Sequence, residues 1–119
     1  MLLIILLILL DQVSKYFFTK TINYGAAFNI LTGYTTFLII FSLITLGFVI
    51  YYYTKNKDNR IKLSLSFLIA GIIGNLIDRI TLGYVRDFID LPYWPVFNFA
   101  DMFNVVGVIF LLYIVYKKK

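Results

Sequence analysis

Residues 71–104 have the sequence GIIGNLIDRITLGYVRDFIDLPYWPVFNFADMFN, and they gather most of the acidic side chains of an apolar chain. Of the six acidic residues, four lie here: Asp78, Asp87, Asp90 and Asp101. The same stretch holds both prolines and every arginine except Arg60. Ionisable side chains are costly close to a bilayer, so this concentration indicates either a functional site or paired charges.

The composition favours lipid as the natural solvent of this chain. Its 119 residues suffice for one domain, and 61% of them are hydrophobic while only 14% are charged. A water-soluble domain of this size has too little interior to bury so much apolar surface. The chain lacks cysteine and histidine, which excludes thiol chemistry, disulfides, the usual zinc ligands and a histidine-based triad.

Hydrophobic stretches predict an all-α integral membrane protein that forms a single membrane-embedded domain, residues 1–119. We expect four transmembrane helices and a reduced extracytoplasmic strand or loop element. The predicted helices are at about residues 2–18, 35–53, 61–80 and 99–116. The first is near the lower limit of roughly 17–25 residues for a membrane span.

Basic residues predict the orientation in the membrane. The loop after the second helix and the C-terminal tail together carry seven basic residues and one acid: Lys55, Lys57, Asp58, Arg60, Lys62, Lys117, Lys118 and Lys119. By the positive-inside rule, both segments and both termini face the cytoplasm. Lys15 and Lys20 oppose this orientation because they lie at the outer end of the first helix. The loop and the tail carry more basic residues, and we give them more weight. Because the net charge of +5 is concentrated at membrane flanks, we expect no nucleic-acid partner.

Asp87 and Asp101 are the strongest catalytic candidates. Asp101 begins the fourth helix, with Asn98 and Asn104 three residues away on either side. Asp87 lies in a stretch whose alternating pattern predicts a short extended segment. The short link between the third and fourth helices allows Asp87 and Asp101 to meet. Two close carboxylates share one proton, which suits acid–base hydrolysis of a peptide bond.

Other polar residues are expected to pair. Asp11 and Lys15 are four residues apart on one helix, which predicts an intramembrane salt bridge. Asn75 and Asp78 share a helix face, and Asp78 is expected to pair with its neighbour Arg79.

Five sequence blocks occur in a fixed order: Asp11–Lys15 (DQVSK), Asn23–Phe28 (NYGAAF), Gly74–Arg79 (GNLIDR), Val85–Asp90 (VRDFID) and Phe97–Asp101 (FNFAD). In this order and membrane context, the chain resembles the lipoprotein signal peptidase family, also called signal peptidase II. The resemblance implies a bacterial inner-membrane aspartic endopeptidase. Such enzymes remove the signal peptide of a prolipoprotein just before a cysteine that carries diacylglyceryl.

The resemblance also implies roles for individual residues. Asp87 and Asp101 match the catalytic pair. The residues expected to contact substrate or to orient the site are Asn23, Gly25, Asn75, Arg79 and Asn98. The residues expected to be structural are Asp11, Lys15 and Asp78. We expect no cofactor and no metal, prolipoproteins and membrane lipids as partners, and a monomer.

The chain departs from the family pattern outside the membrane. The links from Lys15 to Asn23 and from Asp87 to Asp101 are shorter than usual, so only a remnant of the family's small sheet and surface helix is expected over the site. Arg86, next to Asp87, is expected to lower the pKa of its neighbour.

Two alternatives follow from the residues alone. Ser14 is a candidate nucleophile with Lys15 or Lys20 as base, although neighbouring residues on a helix point about 100° apart. In the second alternative, the stripe of carboxylates and amides binds a cation, and the chain is a small transporter or channel component.

Overall fold

A computed structural model describes residues 1–26 and 30–117. The elements in chain order are α1 (Leu2–Phe18), β1 (Thr21–Asn23), α2 (Thr35–Lys55), α3 (Asn59–Leu82), β2 (Val85–Asp87) and α4 (Phe99–Lys117). The bounds of the helices lie within two residues of those predicted. Ala27 and Phe28 of the NYGAAF block, and Lys118 and Lys119 of the basic tail, lie outside the described residues.

Three helices in the described part of the chain are long and apolar enough to cross a membrane, namely α2, α3 and α4. The 21 residues of α2 span about 31 Å at 1.5 Å per residue, close to the ~30 Å hydrocarbon core of a bilayer. Large apolar side chains such as Phe41 and Ile109 are exposed on their outer faces. Lipid, unlike water, stabilises such a surface. The α1 helix is shorter, with 17 residues.

The α3 helix lies at the centre of the molecule and contacts each of the other three helices. Small residues allow this close packing. A Cβ atom on Gly74 would lie 2.5 Å from Asp11 Oδ2 and 3.0 Å from the Ala100 Cβ. Glycine at this position therefore lets α1 and α4 approach α3 together.

The predicted extracytoplasmic element is a two-stranded antiparallel sheet. Thr21 pairs with Asp87, and Asn23 pairs with Val85. Gly83 ends α3 in the left-handed conformation, with φ at 83°, and turns the chain into β2. Beyond β2, a bridge between Ile89 and Phe97 leads the chain back to the start of α4.

The alternation predicted for β2 is confirmed. Val85 and Asp87 are both 2% exposed, whereas Arg86 between them is only half-buried. Because successive side chains of a strand point to opposite faces, Asp87 and Arg86 point in different directions. The sheet thus directs Asp87 toward the helix ends.

Candidate active site

Asn98 and Asp101 form a reciprocal cap at the start of α4. The backbone N–H of Asp101 donates to Asn98 Oδ1 at 2.8 Å, and the backbone N–H of Asn98 donates to Asp101 Oδ2 at 3.1 Å. This pattern satisfies two of the backbone donors that a helix leaves free at its N-terminus. The Asp101 carboxylate is consequently fixed in the first turn of α4.

The side chain of Asn98 also reaches the other candidate carboxylate. Its Nδ2 donates to Asp87 Oδ1 at 2.8 Å, and Asn98 itself is completely buried. One asparagine therefore contacts both Asp87 and Asp101. The structure brings together the two aspartates that the sequence singles out, at the junction of β2 with α4.

The environment of Asp87 favours its protonated form. Burial is the largest cause, and the nearby Asp101 carboxylate adds to it. Hydrogen bonds from Asn98 and Asn23 and the charge of Lys15 act in the opposite direction. The net result raises the pKa of Asp87 to about 7. Asp87 can therefore hold a proton at neutral pH.

The expected effect of Arg86 on Asp87 is wrong. The Arg86 side chain lies on the other face of β2, where its Nη2 donates to Asp78 Oδ1 at 2.9 Å and to Gln12 Oε1 at 3.0 Å. Its backbone N–H also donates to Asp78 Oδ2 at 3.0 Å. Arg86 ties the strand that carries Asp87 to α3 and α1.

Asn75 on α3 is held in one amide orientation by its neighbours. Its Oδ1 accepts from Lys15 Nζ and from Asn98 Nδ2, both at 3.1 Å. Two donors on the carbonyl side direct its Nδ2 toward Asp101 Oδ1, at 2.9 Å. Asp101 consequently accepts a hydrogen bond at each oxygen, from Asn75 and from the Asn98 backbone.

Lys15 lies at the centre of a buried charge cluster. Its Nζ is 2.8 Å from Asp11 Oδ2 and 3.3 Å from Asp78 Oδ2, and all three side chains are completely buried. The predicted pair of Asp11 with Lys15 is confirmed. The predicted pair of Asp78 with Arg79 is wrong, because Asp78 binds Lys15 and Arg86 instead. The formal charges of Asp11, Lys15, Asp78 and Arg86 sum to zero.

Arg79 connects α3 to the loop after β1. Its Nη2 donates to the backbone oxygen of Gly25 at 3.2 Å. Asn23 shapes the same loop, because its Oδ1 accepts from the Gly25 N–H at 2.8 Å and its Nδ2 donates to the Ala26 oxygen at 3.1 Å. The predicted site residues Asn23, Gly25 and Arg79 thus lie together beside Asp87.

Two cavities open at Asp101. Cavity A has a volume of about 410 Å³ and is almost entirely apolar apart from Asn23 and Asp101; its other lining residues are Leu91, Trp94, Pro95, Val96, Phe97, Met102, Val105 and Val106. Cavity B has a volume of about 210 Å³ between α2, α3 and α4, and is lined by Phe41, Ser42, Thr45, Gly71, Ile72, Asn75, Arg79, Asp101 and Asn104.

Sequence analysis missed the apolar lining of cavity A and the cluster partners Gln12 and Arg86. The aromatic and proline residues of the link before α4 were an available signal for the cavity. The alternation of β2 was a signal for Arg86, because it separates Arg86 from Asp87.

The arrangement suits acid–base chemistry on a polar bond held next to an apolar cavity. Asp87 is able to donate a proton near neutral pH. Asp101 receives hydrogen bonds that stabilise its ionised form, so it is able to accept one. Burial excludes bulk water and strengthens both interactions.

Comparisons with known proteins identify relatives of this chain. The family model for signal peptidase (SPase) II matches residues 3–117. The lipoprotein signal peptidase of Caldicellulosiruptor bescii is 47% identical over 96 residues, covering 81% of this chain and 64% of that protein. The lipoprotein signal peptidase of Halothermothrix orenii is 35% identical over 136 residues, covering 98% of this chain and 94% of that protein.

The fold is also that of a solved protein. A bacterial membrane enzyme matches with a TM-score of 0.92 at 31% identity, over 98% of this chain and 86% of its own. This likeness and the long apolar helices make the chain an integral membrane protein. The resemblance seen in the five sequence blocks is confirmed over nearly the whole length. The chain belongs to the signal peptidase II family.

Proposed function

We propose that this chain is a membrane aspartic endopeptidase that removes the signal peptide from prolipoproteins, with Asp87 and Asp101 as its catalytic pair. The observation that carries this proposal is the contact of Asn98 with both carboxylates. Membership of the signal peptidase II family and the names of the lipoprotein signal peptidases that it resembles support the same activity.

In the proposed reaction, Asp87 begins protonated and Asp101 begins ionised. Asp101 takes a proton from water, whose oxygen forms a bond to the scissile carbonyl carbon, while Asp87 gives its proton to the carbonyl oxygen. The resulting diol then collapses and the C–N bond breaks. The proton on Asp101 passes to the leaving nitrogen, and the hydroxyl proton returns to Asp87. General acid–base assistance of this kind contributes roughly 10²–10⁴ in rate.

The apolar lining of cavity A supports a lipid-modified substrate. Trp94, Leu91 and Val106 surround a volume large enough for part of an acyl chain or an apolar signal segment, and Asp101 lies at its polar end. In agreement with the family resemblance, we propose cleavage just before a cysteine that carries diacylglyceryl. The lipid would place the scissile bond at the carboxylates.

We further propose that α1 is a fourth transmembrane helix of a single membrane-embedded domain. Its charged residues Asp11 and Lys15 are buried against α3, while apolar residues such as Leu6 and Leu9 are exposed. A span of this length, roughly 25 Å, requires only modest thinning of the bilayer.

The basic segments support an orientation with both termini in the cytoplasm and the carboxylate pair at the extracytoplasmic face of a bacterial inner membrane. A monomer is sufficient for this chemistry, because one chain supplies both carboxylates.

The alternative hypotheses have less support. Ser14 Oγ donates to the backbone oxygen of Asp11 at 2.9 Å, and Lys15 Nζ is engaged by the charge cluster, so these two side chains do not form a nucleophile–base pair. The transporter hypothesis finds no support among the proteins that this chain resembles.

The test is cleavage of a diacylglyceryl-modified precursor peptide by the purified protein in lipid nanodiscs, compared with the unmodified peptide. We expect only the lipid-modified peptide to be cut, and we expect Asp87→Asn and Asp101→Asn to reduce cleavage by at least about 10²-fold. Asp90→Asn is the matched control, because it makes the same change of charge at an exposed residue. Normal processing by either Asp87→Asn or Asp101→Asn, with the protein present in the membrane, would overturn the proposal.

A further inference from the structure

Residues 91–94, in the link between β2 and α4, form a tight turn. The backbone N–H of Trp94 donates to the Leu91 oxygen at 3.2 Å, which closes the turn across Pro92 and Tyr93. Pro92 restricts its own φ to negative values, whereas Tyr93 has a φ of 60°. This combination is that of a type II turn, in which the residue after the proline is normally glycine or asparagine.

Tyr93 therefore occupies a position that disfavours tyrosine. A bulky side chain in the left-handed conformation is costly, and strain of this kind is typical of a functional constraint. Tyr93 is also 105% exposed, so its ring gains no packing within the chain that would offset the cost. A tyrosine at this position is explained better by a partner outside the chain.

The neighbours of Tyr93 are apolar and open as well. Residues 91–95 have the sequence LPYWP, and all five are exposed without a charge among them. An uncharged run of this kind is an unfavourable surface in water. Tyrosine and tryptophan are instead enriched where a membrane meets water, because each ring combines an apolar body with a polar group.

Cavity A shows where the turn lies relative to the membrane. Leu91 and Trp94 line this cavity from the link, and Val105 and Val106 line it from α4. The two valines are 56% and 44% exposed on a helix that is long and apolar enough to cross a membrane. Val106 is seven residues after the start of α4, about 10 Å along the helix axis. The turn therefore lies beside the outermost part of the lipid-facing surface of α4.

We propose that residues 91–94 are an interfacial anchor, in which Tyr93 and Trp94 insert into the headgroup region of the bilayer and hold one wall of cavity A in place. The partner is the phospholipid bilayer, whose interface matches the uncharged aromatic turn. Insertion requires only that the chain is an integral membrane protein. The effect on substrate rests on the proposed function: Trp94 and Pro95 line cavity A, and an anchored wall loses less conformational freedom when an acyl chain binds.

The first test measures the depth of position 93 in the membrane. The chain has no cysteine, so Tyr93→Cys provides a single site for a nitroxide spin label. In phosphatidylcholine–phosphatidylglycerol nanodiscs without precursor, its accessibility to oxygen and to an aqueous nickel chelate should lie between two references. These are Ile44→Cys, on the exposed face of α2, and Lys57→Cys, in the loop after α2. A label as accessible to nickel as that of Lys57→Cys overturns the anchor, even if added precursor then protects it.

Trp94 reports on the turn without a label, because it is the one tryptophan of the chain. We expect lipids brominated near the headgroup to quench its fluorescence more than lipids brominated near the chain ends. Tyr93→Asn keeps the turn, since asparagine tolerates a positive φ, but it removes the ring. It should reduce the shallow quenching by at least about twofold, whereas Tyr93→Phe should retain it. Equal quenching in Tyr93→Asn and the original protein overturns the insertion of Tyr93.

Cleavage assays connect the anchor to cavity A. In nanodiscs, Tyr93→Asn should raise KM for the lipid-modified precursor by at least about fivefold and leave kcat within about twofold, because the carboxylates are unchanged. Tyr93→Trp should retain the original KM. Tyr116→Asn is the matched control, because it makes the same change at an exposed tyrosine at the opposite end of α4.

The outcomes separate this inference from the proposed function. An unchanged KM in Tyr93→Asn, or an equal rise of KM in Tyr116→Asn, overturns the role of the anchor in holding cavity A. A normally active Asp87→Asn overturns the proposed function instead, and the depth of position 93 does not depend on that result.

Discussion

Asn98 Nδ2 lies 2.8 Å from Asp87 Oδ1, and the same residue caps the helix that begins with Asp101. This single side chain therefore couples a strand to a helix terminus. It donates to one carboxylate through its side chain and to the other through its backbone. Asn98 therefore helps to set the relative position of Asp87 and Asp101.

Substitutions of Asn98 should separate capping from positioning. Asn98→Ser retains a good N-cap residue but loses the donor to Asp87, so we expect a folded protein with kcat reduced by roughly 10²-fold. Asn98→Ala also loses the cap and should unfold more readily, by about 1 kcal/mol relative to the Ser variant. Cleavage assays and thermal unfolding in detergent measure the two effects. Equal activity of the Ser variant and the original protein would contradict this role.

The pH dependence of cleavage should reflect Asp87. Because its pKa is about 7, the proton needed by the scissile carbonyl is present below that pH and is lost above it. We expect kcat/KM to fall by about tenfold for each pH unit on the alkaline side. Titration of the cleavage rate in nanodiscs measures this limb. A rate that stays constant well beyond pH 7 would exclude Asp87 as the acid.

The same shift has a consequence for stability. The pKa of Asp87 is raised from 3.8, so between that value and about 7 the unfolded chain releases a proton that the folded protein keeps. The contribution of Asp87 to the free energy of unfolding therefore falls as pH rises through this window, by at most about 1.4 kcal/mol per pH unit. Asp87→Asn should remove this dependence, whereas Asp90→Asn should retain it.

Removal of the positive charge of Lys15 should strongly destabilise the folded protein. Lys15→Met leaves the carboxylates of Asp11 and Asp78 buried without their shared partner, which we expect to cost about 3–5 kcal/mol. Combining Lys15→Met with Asp11→Asn removes one of the unpaired charges and should recover part of this loss. Lys20→Met is the matched control, because Lys20 is exposed. Thermal unfolding and the amount of protein in the membrane report the outcome; equal stability of the two lysine variants would contradict the cluster.

Arg86 should affect turnover through the position of its strand. Arg86 holds β2 against α3 by backbone and side-chain bonds to Asp78, so Arg86→Met releases the neighbouring Asp87. We expect kcat to fall by about 10²-fold, a typical cost of small displacements in an active site. Arg86→Lys should recover little, because it cannot reproduce the paired bonds to one carboxylate. Arg60→Met, at an exposed arginine, should have no effect on kcat.

The sequence alone predicted the helices and singled out the two carboxylates that we propose as the catalytic pair. Runs of apolar residues fix α2, α3 and α4 because backbone hydrogen bonds must be satisfied locally within lipid. The alternation around Asp87 fixed β2 for a similarly local reason. The spacing of Asp11 and Lys15 was enough to predict their pair, since residues four apart on a helix share a face.

Only the tertiary structure decided which polar groups meet across the helices. Asp78 was expected to bind its neighbour Arg79, but the turn after Gly83 returns Arg86 to it while Arg79 reaches Gly25. Likewise, no local pattern shows that Asn98 also contacts Asp87 or that Asp101 lies between an apolar and a polar cavity. Such contacts depend on how separate helices pack, and side chains distant in sequence leave no periodic signal of that packing.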